Sequence, residues 1–149
     1  MNLKQTLALA FIVGLCLLCN NCRYDNSFVP SSNIILNDKP LYVIRANIQG
    51  YWKLLYAQGG ISGGTFPDKN HQYMIINGDV VTWGSDQGTT LDTIVWKRNS
   101  YLNPQYTFIM TYRHSGASKI VDRIKNDTLV LIDDAIDGFT AYYLRSKQP

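Results

Sequence analysis

The sequence contains no glutamate, and two of its seven alanines fall within the first ten residues. Strong helix formers are therefore scarce, which argues against a helical bundle. Cysteine is absent beyond residue 22. The folded part thus has no disulfide staple, thiolate metal site or cysteine nucleophile. The one long apolar run, Leu7–Leu18, is twelve residues. As a helix it would reach about 18 Å, short of a hydrocarbon core of about 30 Å, so a secretion signal fits it better than a membrane span. No block of like charges occurs either. The formal charge of +3 arises from 14 Lys and Arg scattered among 11 Asp, which gives no reason to expect a nucleic-acid partner.

What the chain does have is β-forming residues: ten Tyr, three Trp and five Phe, with many Val, Ile and Thr. An all-β domain is expected from about residue 46 to 149. Eight short strands alternate with turn chemistry, the first over about 47–57 with Gly50, Trp52, Leu54 and Tyr56 on one face. Gln72–Ile76 and Asp79–Trp83 flank Asn77-Gly78, the strongest short hairpin signal. Thr89–Lys97 and Tyr106–Tyr112 follow. Lys119–Lys125 turns at Asn126-Asp127 into Thr128–Ile132, and Asp137-Gly138 leads to Phe139–Arg145. Links after the first are short, so neighbours in sequence should pair. A flat meander would leave two bare edges, and an up-and-down antiparallel barrel removes both. A two-sheet sandwich is the alternative. Trp52 begins the first strand and Arg145 ends the last; they can meet only if the sheet closes, the guanidinium then lying over the indole.

The first link is the exception: residues 58–70 carry four Gly in six positions, Gly59-Gly-Ile-Ser-Gly-Gly64. With Gly50-x-Trp52, the meander and Arg145, this long loop resembles lipocalin-like domains, including those of bacterial envelope lipoproteins. The resemblance covers about residues 46–146. It implies that Trp52 and Arg145 plug one end of the barrel, with Gly50 in the same closure motif. It also implies that Gly59–Pro67 forms a lid at the other end, with Ile61 and Phe66 as its apolar points.

Lys4 and the apolar run read as a signal segment over residues 1–22, and the polar stretch that follows as a tether over residues 23–45. All three cysteines lie within seven residues at the end of the run. Such a cluster resembles the acylated cysteine of a bacterial lipoprotein, with Cys19 or Cys22 as the lipidated residue. None of the three follows a standard lipobox, and an ordinary cleaved signal is the alternative. Lipidation would place the protein in the cell envelope, at the outer membrane.

Little in the chain points to catalysis or cofactors. His71 and His114 stand alone, without zinc-ligand spacing. Asp133, Asp134 and Asp137 precede Gly138 but lack the ligand pattern of a calcium loop, and a turn accounts for them. The Gly-rich loop lacks the helix and Lys of a phosphate cradle. Asn126-Asp-Thr128, Asp92-Thr-Ile94 and Asp127-Thr-Leu129 resemble glycosylation triplets and read better as turn and strand residues. No enzyme activity, metal or cofactor is expected. Two functions stay open. In one, a small apolar or amphipathic ligand occupies a calyx lined by Leu54, Tyr56, Tyr106, Phe108, Met110 and Tyr112 beneath Ile61 and Phe66. In the other, side chains fill the barrel and it acts as a protein-interaction or inhibitor module.

Overall fold

The computed structural model describes residues 29–99 and 107–148. The cysteines, the apolar run and Tyr106 lie outside them. Among the described residues are ten strands and one helix: β1 (Asn33–Ile35), α1 (Leu41–Asn47), β2 (Gly50–Gly59), β3 (Gly64–Pro67), β4 (Tyr73–Asn77), β5 (Val80–Ser85), β6 (Gly88–Arg98), β7 (Phe108–Tyr112), β8 (Ser118–Lys125), β9 (Thr128–Asp133) and β10 (Phe139–Ser146). Strands β4 to β10 pair in sequence order, and β2 joins β4 on one side to β10 on the other. The result is a closed, eight-stranded antiparallel barrel. The expected Asn126-Asp127 turn holds, with φ +49° and +55° as a tight hairpin requires. The earlier hairpin turns one residue later than expected, at Gly78-Asp79, because Asn77 pairs with Val80 and Gly78 takes the positive φ of +62°.

Two short strands sit beside the barrel wall. β3 folds back on the upper half of β2, and β1 pairs with the lower half of β8, in line with β7. The ends differ. Helix α1 and the Gly78-Asp79 and Asn126-Asp127 turns close one; the β2–β3 hairpin and the β9–β10 turn surround the other.

The closed end depends on helix α1. It is only seven residues long and its N-cap, Pro40, offers no side-chain cap, so propensity alone would not hold it. Packing does: Ile44, Ile48 and Leu36 are fully buried in the core. Its C-terminal carbonyls, which have no partner within a helix, are taken up by neighbouring side chains. Trp52 Nε1 donates to Ile48 O at 2.7 Å, Arg145 Nη2 to Asn47 O at 3.2 Å, and Gln49 Nε2 to Arg45 O at 2.8 Å. The Arg145 guanidinium lies over the Trp52 ring, 4.4 Å from its centroid. It therefore meets both an aromatic face and the negative end of a helix. Gly50 lets the chain turn from the helix into β2. Its φ of +115° is one that residues with a Cβ rarely adopt, although the space beside it is empty; the turn, not crowding, requires the glycine.

The tether expected over residues 23–45 is corrected for its described part. From Ser31 the chain is already built into the domain: Ser31 N donates to Asn47 Oδ1, β1 joins the sheet and Leu36 enters the core. Residues 31–45 are thus part of the domain rather than of a tether.

Substituting Trp52→Ala should cost about 3–5 kcal/mol of stability, as for other large core truncations. In a double-mutant cycle with Arg145→Ala, urea unfolding should show a coupling of about 1 kcal/mol.

Candidate functional site at the open end

Register determines which side chains point inward. Trp52 lies opposite Met74 and Arg145, Met74 opposite Trp83, Ile94 opposite Tyr112, and Met110 opposite Trp96. Trp52, Met74 and Met110 have no accessible surface, so no void large enough for a water touches them. From the closed end to about the level of Met110 the barrel is filled by its own side chains, as eight strands permit.

The residues expected to line a calyx therefore separate. Met110, Tyr112 and Leu54 belong to the packed interior, and half-buried Phe108 lies toward the closed end opposite Arg98. Tyr56 lies on the outer wall. The β2–β10 register slips at Leu55, so that Tyr142 faces Tyr56 while Tyr143 faces Leu54. The slip breaks the alternation that would have turned Tyr56 inward, and its ring stacks on Tyr142 at 4.4 Å. Ile61 and Phe66 are at the open end, 94% and 48% exposed.

Around that open end the structure brings together side chains that strand assignment alone did not single out. Phe139 meets Phe66 edge to face at 5.7 Å. With Ile61 they line a cleft of 520 Å³. A second cleft of 460 Å³ shares Phe66 and runs past Pro67 to Asn70 and Gln72. Those two residues also line a third, of 280 Å³, whose floor is Trp83, Tyr143 and Thr90. The three clefts adjoin through these shared residues, and together they make up the furrow, from apolar tips to an aromatic floor. Below it Trp83 stands edge-on to Tyr112, 5.2 Å between centroids, and tilted against Tyr143 at 6.4 Å. The signal for Trp83, Tyr143 and Phe139 was present in period-two parity: Trp83 shares a face with buried Val81, and Phe139 and Tyr143 share one with Ala141.

Polar groups at this level are few and mostly paired. Lys119 and Asp133 form a largely buried ion pair, and Asp133 Oδ2 also accepts from Phe139 N at 3.0 Å. That bond helps hold the β9–β10 turn, in keeping with the turn reading of the aspartate cluster. Asp92 is buried on the inner face of β6 and accepts from the backbone N–H groups of Thr93, His114 and Ser115. Burial alone would raise its pKa, but these donors and the His114 ring outweigh it and hold the carboxyl well below the usual range. His114 Nδ1 lies 3.0 Å from Asp92 and His71 Nδ1 lies 2.8 Å from Asp86, both rings largely exposed at the rim. The exception is Tyr112. Its hydroxyl is buried and has no hydrogen-bond partner among the described residues. Burial, then Tyr143, Asp133 and Asp92, raise its pKa; burial and the negative charges of Asp133 and Asp68 raise that of Tyr143. Both stay neutral and can donate.

Comparison with family models, with curated proteins and with solved structures finds no match to this chain.

Tyr112→Phe should leave stability unchanged or raise it by up to about 1 kcal/mol in urea unfolding, because it removes an unpaired buried hydroxyl. Asp92, with its folded pKa depressed, contributes stability that is complete above its unfolded pKa of about 3.9 and lost as pH falls through the folded value. Acid titration of the thermal midpoint should therefore be shallower below about pH 4 in Asp92→Asn than in the unsubstituted protein.

Proposed function

We propose that this chain is a membrane-tethered, lipocalin-like binding module that takes a small apolar or amphipathic molecule at the open end of its barrel. The observation that carries this reading is the contrast between the two ends. One is sealed by α1, Trp52 and Arg145; the other exposes Ile61, Phe66 and Phe139 above a floor of Trp83 and Tyr143. Exposed aromatic surface leading to a concave polar-aromatic floor is the usual form of a small-molecule site. The packed interior confines the ligand to the furrow, so its apolar part lies against the rim rings. Its polar part meets Tyr143, Thr90 and Gln72. Aspartates outnumber cations around this end, which favours neutral or cationic ligands over anionic ones. Acylation at Cys19 or Cys22 would hold the module in the cell envelope, at the outer membrane. The site is assigned binding rather than catalysis.

A second reading has one observation in its favour: Ile61 and Ile136 are 94% and 96% exposed. Two apolar tips on neighbouring hairpins suit contact with a protein partner. Under this reading Ile136→Ser, which lies outside the clefts, sharply weakens partner capture and leaves small-molecule binding intact.

The test uses dodecyltrimethylammonium, dodecyl maltoside and dodecyl sulfate below their micellar concentrations. Trp52 is sealed in the core and Trp96 donates to Asp79 near the closed end, so fluorescence changes on binding report chiefly on Trp83. The cationic and neutral probes should bind more tightly than the anionic one. Phe66→Ala and Phe139→Ala should each weaken binding roughly tenfold through lost apolar contact. Unchanged affinity in the double variant would remove the furrow as the site.

A further inference from the structure

The charges of this protein are divided along the barrel axis. Six aspartates (Asp68, Asp86, Asp92, Asp133, Asp134 and Asp137) lie toward the open end, against Lys69, Arg113 and Lys119. Toward the closed end the balance reverses. The four described aspartates there are each paired: Asp38 with Lys39 at 2.8 Å, Asp79 with Arg45, Asp122 with Arg123 at 3.2 Å and Asp127 with Arg145 at 3.5 Å. Lys97, Arg98, Lys125 and Lys147 are exposed around the same end, and among the described residues none of them has an ion-pair partner. Their placement follows from register. Lys97 and Arg98 end β6, Lys125 opens the β8–β9 turn, and Lys147 follows β10 past the Ser146–Tyr51 pair. The described chain also begins here, with Ser31 bonded to Asn47 and Ser32 O accepting from Asp127 N.

Resting on the membrane-tethered reading above, we infer that the closed end is a docking face for an anionic lipid surface. Lys97, Arg98, Lys125 and Lys147 meet the headgroups, and the binding furrow is held away from the bilayer. Two features support one occupant. Uncompensated cations surround the point where the N-terminal segment joins the barrel, so any anchor on that segment brings this face, and not the acidic one, to the membrane. The acidic open end is repelled by the same surface, which orients the barrel along its axis. A molecule leaving or reaching the furrow then approaches from the aqueous side.

Residues 23–149 hold the whole closed barrel and its seal, and lack the apolar run. This fragment is sedimented with vesicles of pure phosphatidylcholine and of phosphatidylcholine with an equal part of phosphatidylglycerol. Binding is expected on the anionic vesicles and not on the neutral ones, and should be lost at high salt. Each closed-end cation replaced by Gln should lower partitioning about fivefold, so the fourfold variant loses several hundredfold. Lys69→Gln with Arg113→Gln, at the open end, should not weaken it. Circular dichroism verifies that each variant is folded. Equal binding to both vesicle types, or an open-end pair as costly as two closed-end replacements, overturns the inference. The tether is read separately, by fractionation of the native chain with and without Cys16→Ser, Cys19→Ser and Cys22→Ser. Cysteine-dependent membrane residence alongside indifference to phosphatidylglycerol sinks the docking face and spares the tether. A native chain free in solution, with a fragment that binds anionic vesicles, does the reverse.

Discussion

Everything else in this protein depends on one junction, where β2 meets β10 and closes the sheet. A ladder between the first and last long strands brings together residues nearly a hundred positions apart, a contact that local structure cannot supply. Arg145 and Trp52 fall opposite each other in that ladder, so the cation–π contact exists only in the closed form. Helix α1 then seats on the result, because its free carbonyls find the Trp52 indole N–H and the Arg145 guanidinium as donors. The seal is thus mutual: the helix is too short to stand without the barrel, and the barrel end would expose Trp52 and Ile76 without the helix. Arg145 is half-withdrawn from water, which lowers its pKa, and Asp127 acts in the opposite sense. A guanidinium remains charged under such a shift, where an ammonium would be less secure.

Closure also sets what the interior can do. Eight strands enclose a space that large side chains can fill, and here Trp52, Met74 and Met110 fill it. The one-residue slip at Leu55, one of two in the barrel, matters more than its size suggests. It sends Tyr56 outward to stack on Tyr142, and it keeps Leu54 and Tyr143 facing inward together. One residue of register therefore moves an aromatic ring from the inside of the barrel to its outer wall. Gly84 shows similar economy on the outer face: a Cβ there would meet the Tyr73 ring at 2.0 Å, so the glycine makes room for the ring that stacks on Tyr51.

The fold was largely legible in the sequence because most of its strands alternate and its tight turns put Gly78, Asn126 and Asp127 at positions of positive φ. The Trp52–Arg145 contact was legible for the same reason: once the sheet closes, both positions follow from strand order. Four features were not. β1 is three residues long, too short for alternation to register, and α1 lacks a side-chain cap and has only two buried apolar residues within or beside it, Ile44 and Ile48. A segment that folds only against a preformed surface resembles a polar linker when read alone. β3 sits in a Gly-rich, Pro-ended stretch whose composition signals a loop, and pairing with β2 overrides that preference. The bulge at Leu55 has no sequence mark at all, and so Tyr56 was assigned to the wrong face. The mouth residues were readable in principle: Trp83 and Tyr143 keep the parity of buried neighbours, but parity does not tell how far along the barrel axis a side chain sits.

Axial position is in the end the property that separates structure from recognition in this chain. Around helix α1 the polar groups that face the barrel are tied together: Asp79 holds Arg45 and the Trp96 indole, Asn47 bonds Ser31 and Val43, and the helix carbonyls hold Trp52 and Arg145. Substitution there disturbs the closure itself. At the open end the wall is already complete, and the hairpin tips add little to the core. Exposed Ile61, Phe66 and Phe139 do not hold the barrel together, and burying them on a ligand would return apolar surface to contact that folding left in water. The buried Tyr112 hydroxyl lies just beneath, at the upper limit of the packed interior, desolvated and without a hydrogen-bond partner among the described residues.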